Sequence, residues 1–207
     1  MSAVAGLLFL AFVYFVVGQA AVNRSDAQTA ADAAALAAAQ DARDQLRQGW
    51  LDVIREPERW GRFLRGREFD DFPACQKAVS FAASNGADVL DGACVRLTSG
   101  QEGFEVTVQT RASVGRSIVP GTESRRATAV SRAVIEPKCT FVMPEDPALE
   151  ELEPDPDAPG AGEEPAPEDE TILELTCGGD VWVVEPDDPM LPSAPDLFTV
   201  RLAGDDE

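Results

Sequence analysis

Histidine is absent from this 207-residue chain, so the side chain that enzymes use most often for proton transfer near neutral pH is missing. Without imidazole, neither a Ser-His-Asp triad nor a histidine-containing zinc site can form. The sequence also lacks the GxSxG nucleophile elbow and the glycine-rich phosphate loops GxxxxGKS/T and GxGxxG. We therefore expect a protein that is not an enzyme and has no catalytic residue, no bound metal and no cofactor.

Lysine is scarce, since only Lys77 and Lys138 accompany fifteen arginines. Together with abundant Ala, Gly, Asp and Val, this bias indicates a gene of high G+C content and a bacterial source. Basic residues are also few overall, and the formal net charge is −20. Nucleic acid is excluded as a partner because its binding requires neutralising cations.

The cysteines show no CxxC spacing, which disfavours a metal site and favours disulfides formed in an oxidising compartment. Four cysteines permit three pairings. We expect Cys75 to pair with Cys94 and Cys139 with Cys177, because each bridge then joins segments predicted to be neighbours.

Residues 3–22 form an uncharged, apolar run of about twenty residues, enough for a helix to cross roughly 30 Å of hydrocarbon. The run predicts a transmembrane helix. A cleaved signal peptide is the alternative, since Gly18-Gln19-Ala20 offers a cleavage site, but the basic flank of a signal is missing. A buried core helix would need a larger domain around it.

The direction of this span is weakly specified by charge. Arg24 alone favours a cytoplasmic C-terminal side, whereas the cysteines favour an extracytoplasmic one, and we give the cysteines more weight. The absence of a basic flank before the span also suggests that the natural chain begins upstream of Met1.

Residues 23–68 begin with an Ala-rich stretch that contains no proline before Pro57, so the first helix should continue through it without a break. Leu46, Trp50 and Val53 recur at helical spacing and are interpreted as packing on the chain's own domain. The alternative is a seam of small residues that packs against another helix. Its helix-packing candidates are Ala30, Ala34 and Ala38.

Pro57 opens a short helix surrounded by the one strongly basic cluster of the sequence, which we call the basic patch. Its members are Arg55, Arg59, Arg62, Arg65 and Arg67. One interpretation is a solvated face paired with neighbouring glutamates. The other is a docking site for the acidic stretch of the same chain or for an anionic partner, such as lipid headgroups or wall polymer.

Residues 69–143 predict an α+β domain. Asp70 or Asp71 caps a helix that ends at Asn85-Gly86, and strands follow at 93–98, 104–110 and 127–135. Val106 and Val108 alternate with polar residues, which is typical of a half-buried antiparallel strand.

The remainder of the chain divides into a loop and a last group of strands. Residues 144–170 hold twelve carboxylates, seven prolines and no aromatic residue, and they predict an acidic, disordered loop. Residues 171–207 should add short C-terminal strands that complete the domain. Within the loop, Asp155, Asp157 and Gly160 match part of a calcium-binding loop, but Pro159 and Ala166 replace required ligands.

The run AQTAADAAALAAA, placed directly after the apolar N-terminal helix, resembles the TadE/TadG-like group of Tad (Flp-type) pilus-assembly proteins. The later order of helix, Asn85-Gly86-Ala87, Cys94 and the strand FEVTVQT is also similar to the pilin-like globular end of that group. The resemblance implies a long N-terminal transmembrane and Ala-rich helix, then a small pilin-like antiparallel-sheet domain with two disulfides.

The resemblance further implies a single-pass protein of the bacterial cell membrane with an extracytoplasmic C-terminal domain. Its expected partners are other pilus-assembly or pseudopilin-like membrane proteins, besides membrane lipid around the anchor. Gly6 is not followed by the Glu of processed pseudopilins, which favours a permanently anchored accessory. A second hypothesis is an independent cell-surface protein that binds a ligand or wall polymer, or acts as a sensor.

Overall fold

A computed structural model describes residues 2–97, 100–113, 124–141, 173–187 and 190–204, which form four helices and seven strands. Helices and antiparallel sheets are joined by two disulfides, Cys75–Cys94 and Cys139–Cys177, and this confirms the mixed fold class and the predicted pairing. The acidic segment 144–170 lies outside the described residues, and so do the side chains at 2–3, 15–17 and 19–20.

The first helix, α1, runs from Ser2 to Asp52 without interruption. Its 51 residues correspond to a length of about 75 Å. Alanine, the strongest helix former, dominates its second half, and no proline interrupts it. The predicted continuity between the apolar N-terminal run and the Ala-rich stretch is therefore confirmed.

Two shorter helices follow, α2 (Pro57–Leu64) and α3 (Asp71–Ser84). Proline stands at the first turn of α2, where its missing N–H costs nothing. At the start of α3, the Asp70 carboxylate accepts a hydrogen bond from the Phe72 backbone N–H at 2.9 Å, as predicted for the cap.

The main sheet is antiparallel, in the order β1-β2-β3-β7, with one face covered by α1 and α3. Its strands are β1 (Ala87–Arg96), β2 (Glu102–Ser113), β3 (Arg126–Pro137) and β7 (Phe198–Leu202). Phe104, Val106 and Val108 are fully buried against the helices, as their alternation predicts. On β3, Ala133 and Ile135 belong to the same buried core cluster.

Strand β1 is longer than predicted, and the expected start at residue 93 is wrong. Val89 pairs with Val108 and Cys94 pairs with Val106, so residues 90–93 bulge out opposite a single residue of β2. Asp91 and Gly92 make this segment resemble a turn, but pairing with β2 overrides that local preference.

A second, smaller sheet has the order β4-β5-β6, formed by β4 (Cys139–Phe141), β5 (Glu174–Cys177) and β6 (Asp180–Val183). Cys139 and Cys177 are direct partners across β4 and β5, with Cα atoms 4.0 Å apart. The sheet packs near α2 through Phe141, whose ring centroid lies 5.5 Å from that of Trp60. The short helix α4 (Ala194–Leu197) then leads into β7.

Candidate interaction surfaces

The N-terminal part of α1 presents large apolar side chains to the surroundings. Leu7, Leu10 and Tyr14 are 71%, 68% and 83% exposed, and burial within the protein begins at Ala27. Among the residues that the structure describes, no helix combines the length and the apolarity that a membrane crossing requires. The described side chains nonetheless form an extended apolar surface, which water solvates poorly.

The three helix-packing candidates Ala30, Ala34 and Ala38 all have an exposed fraction of zero. They belong to the same core cluster as Val106, on the sheet, and Ala78, on α3. The structure therefore places them inside the domain, where they allow close approach of elements of the same chain. They do not form an exposed surface for a helix of another protein.

Leu46, Trp50 and Val53 continue this buried side of α1, with exposed fractions of 0%, 0% and 5%. This confirms the interpretation that they pack on the chain's own domain. Phe63 of α2 lies directly over Gly49, where a side chain would collide with its ring. The C-terminal end of α1 and α2 are thereby fixed against each other.

The basic patch divides into paired and unpaired members. Arg55 forms an ion pair with Asp187 at 3.0 Å, and Arg59 pairs with Glu56 at 2.8 Å, where the hydrogen bond raises the pKa of Arg59. Arg62, Arg65 and Arg67 form no ion pair with any residue that the structure describes.

Arg65 and Arg67 line one cleft between the end of α2 and the main sheet. Two glutamates also line this cleft, but both are already paired: Glu102 with Arg96 at 2.7 Å and Glu136 with Arg201 at 2.6 Å. Among the described residues, the two guanidinium groups without an ion-pair partner therefore give this cleft an excess of positive charge.

Arg96 is a structural residue that the sequence does not reveal. Its guanidinium lies 3.8 Å from the centroid of the Phe69 ring and donates a hydrogen bond to the Arg67 carbonyl at 2.8 Å. It also forms ion pairs with Glu102 and, at 3.6 Å, with Asp71. It joins β1, β2, the start of α3 and the loop before it, and only the tertiary structure brings these segments together.

The described residues contain no cluster of side chains suited to bind a metal ion. Both pairs of cysteines are consumed in disulfides, and within the described ranges no group of three or more Cys, Asp or Glu residues could hold a metal. The surfaces available for function are thus the apolar segment of α1, the basic patch and the exposed faces of the sheets.

Residues 1–41 match the model of a family described as putative Flp pilus-assembly TadE/G-like. The matched range contains the exposed apolar segment of α1 and the first buried turns of this helix. Most positions from Ala27 to Ala39 are buried. The resemblance of the N-terminal region to this group is thereby confirmed. A search of curated proteins and a search of solved structures each gave no significant match.

Proposed function

We propose that the chain is a non-enzymatic accessory of a Tad-type pilus-assembly or secretion machine, held in a bacterial membrane by one N-terminal helix. Its pilin-like domain lies outside the cytoplasm and contacts other proteins of the machine, such as pseudopilin-like membrane proteins. The observation that carries the proposal is the course of α1. Its family-matched residues lead from an exposed apolar segment directly into the core of the domain.

Lipid is the environment that suits the N-terminal segment. Residues 3–22 contain no charged side chain, and the described ones among them are mostly more than half exposed. Such a surface is unfavourable in water, at roughly 25 cal/mol for each Å² of apolar area. In a helix, the backbone N–H groups beyond the first turn and the C=O groups of the segment are satisfied internally, as hydrocarbon requires.

The disulfides support an extracytoplasmic domain. Both bridges join residues of the folded part, and no cysteine of the chain is free. Bacterial cytoplasm keeps thiols reduced, whereas the periplasm and cell surface allow disulfides to persist. A small core gains substantially from such bridges.

The geometry of α1 sets the basic patch far from the anchor. Phe63 of α2 contacts Gly49, which lies 27 residues beyond Val22 on the same helix, or about 40 Å along its axis. This separation disfavours the headgroups of the anchoring membrane as the partner of the patch. An anionic polymer of the wall or an acidic protein surface is the better match for Arg62, Arg65 and Arg67.

Topology can be tested by thiol labelling of intact cells that produce the full chain. A membrane-impermeant maleimide should label the protein only after mild reduction, and a variant with all four cysteines replaced by Ala should stay unlabelled. A second variant that lacks residues 3–22 should leave the membrane fraction. Labelling that requires lysis but no reduction would contradict the proposed location.

The role in assembly requires a separate experiment. Deleting the gene in a strain with a Tad-type machine should abolish or reduce surface pili, and the full chain should restore them. The variant without residues 3–22, if stable, should fail to restore them. A normal number of pili in the deletion strain would refute the assembly role while leaving the topology result intact.

A second candidate function is an independent surface protein that binds an anionic ligand or wall polymer. The guanidinium groups of Arg65 and Arg67 line one cleft and have no ion-pair partner within the described ranges, and this favours the alternative. Replacing both by Gln would then abolish binding to isolated cell wall, with pilus number unchanged. A location of the gene away from any Tad-type assembly ATPase would support the same alternative.

A further inference from the structure

The small sheet ends in an edge strand, β6, whose neighbour β5 is fixed to β4 by a disulfide. β6 pairs with β5 through the register Thr176 to Val181 and Leu175 to Trp182, and Cys139–Cys177 ties β5 to β4. Within the described part of the chain, β6 is the last strand of this sheet. Its outer edge is therefore preorganised, which lowers the entropic cost of binding there.

The backbone groups at this edge follow from the hydrogen-bond pattern. The Val184 N–H donates to the Leu173 carbonyl at 2.8 Å, so the backbone N–H of residue 184 points toward the chain of β5. The direction of the backbone N–H and C=O groups alternates along an antiparallel strand. Those of Trp182 therefore point toward β5, and those of Val181 and Val183 point away from it. The register therefore directs the N–H and C=O groups of these two valines away from β5, and no other described strand pairs with β6.

The side chains of the two outward-facing valines are also exposed to solvent. Val181 is 61% exposed and Val183 is 48% exposed, whereas Trp182 between them turns inward and is half-buried. Proteins usually protect edge strands with lysine, proline or a bulge, as the bulge at residues 90–93 does in β1. β6 has no lysine, proline or bulge between Asp180 and Val183, and its four residues offer a short edge.

Charge indicates what can occupy the edge. Glu174, Asp180 and Glu185 surround the two valines, and none of them forms an ion pair within the described residues. Both ends of β6 are acidic, so a second copy of the strand would bring like charges together in either direction. A strand with basic flanks would instead gain opposite charges at both ends.

We propose that the free edge of β6 binds an extended segment of another protein, which adds to the small sheet as a fourth strand. The segment carries β-branched apolar residues between lysines or arginines. Main-chain hydrogen bonds to Val181 and Val183 supply the affinity, and the carboxylates around them select the charge of the partner. This surface is independent of the basic patch and of the anchor.

The test uses the full-length, oxidised chain and three synthetic peptides. One peptide alternates Val and Thr between pairs of Lys, the second has Glu in place of Lys, and the third is the basic peptide with N-methyl groups on its binding edge. Isothermal titration should detect binding of the basic peptide alone. Binding of all three alike, or of none, would overturn the proposal, as would dimerisation of the chain through β6 in place of peptide binding.

Two variants separate edge pairing from general adhesion. Val181→Pro removes an outward N–H and keeps the groups that face β5, so the basic peptide should bind about tenfold more weakly or worse. Val181→Thr is its matched control and should bind nearly as the unaltered chain does. Unchanged affinity in the proline variant would refute strand addition.

A charge variant tests the same proposal if the proline variant fails to fold. Glu185→Lys changes an exposed side chain outside the strand and should leave the melting temperature nearly unchanged. The substitution should weaken binding of the basic peptide and strengthen binding of the acidic peptide. Equal affinities for both peptides, before and after this change, would refute the proposed selection by charge.

Discussion

The indole rings of Trp50 and Trp60 meet edge to face, with centroids 5.6 Å apart, where the end of α1 meets α2. The Trp60 Nε1–H donates to the carbonyls of Val53 and Ile54, at 3.1 and 3.2 Å. The Nε1–H of Trp50 is equally buried but has no hydrogen-bond partner among the described residues. Two similar side chains in contact thus differ in whether their polar atom is satisfied.

This difference predicts unequal effects of the same substitution. Trp60→Phe removes a donor from two carbonyls of the turn after α1, whereas Trp50→Phe removes a donor that is already unpaired. We expect Trp60→Phe to lower the free energy of unfolding by about 1–3 kcal/mol more than Trp50→Phe does. Urea unfolding measures both values, and a larger loss for Trp50→Phe would contradict the assignment.

The burial of Ala38 predicts that it tolerates no larger side chain. Ala38→Leu should destabilise the domain by about 1–3 kcal/mol through overpacking. Gln40→Leu, two residues away on the exposed side of α1, should change stability by less than about 0.5 kcal/mol. Equal melting temperatures combined with a defect in pilus assembly for Ala38→Leu alone would instead indicate contact with a partner helix.

Gly103 has no room for a side chain. It pairs with Val134, its φ is +154°, and a Cβ atom there would overlap the carbonyl oxygen of Ala133. Gly103→Ala should therefore cost about 3 kcal/mol or more. The matched control is Gly92→Ala, where φ is +70° but the space is open, and about 1 kcal/mol is expected. Chemical denaturation that finds equal losses would contradict this description of the strand.

Asp196 predicts a defined dependence of stability on pH. Hydrogen bonds from the Ser193 hydroxyl and then from the Ser193 N–H lower the pKa of its carboxyl. A pKa that is lower in the folded state stabilises the protein above the unfolded value of about 3.9, and this contribution disappears as pH falls below that value.

Asp196→Asn should therefore be less stable than the unaltered chain at pH 7, and the difference should shrink as pH falls below about 4. Ser193→Ala, which removes the main cause of the shift, should bring the pKa of Asp196 back toward its ordinary value. An NMR titration of the Asp196 carboxyl measures this directly. A pKa that does not move in Ser193→Ala would show that another group causes the shift.

Local sequence signals predicted most of the elements because each signal had one dominant cause. Alanine content accounts for the long course of α1, Pro57 marks the start of α2, and Asp70 marks the start of α3. Alternating valines in β2 correctly identified the buried face of the sheet. The cysteine pairing followed because both bridges join adjacent elements.

Other features depend on contacts between distant residues and leave no local signal. The stripe of Ala30, Ala34 and Ala38 has the same pattern whether it meets its own domain or a partner, and only the completed core distinguishes the two. The early start of β1 depends on pairing with β2, and the role of Arg96 depends on groups that the fold brings together. A separate small sheet at β4–β6 could not be anticipated from strand propensity alone.

The unbroken course of α1 also has a mechanical consequence. Its backbone hydrogen bonds continue from the exposed apolar segment to residue 52 without a hinge, and its second half is embedded along the main sheet. A pull directed along the helix axis therefore loads the whole packed interface in shear, rather than peeling contacts apart one by one. A tilt or twist imposed on the N-terminal end turns the folded part with it as one lever.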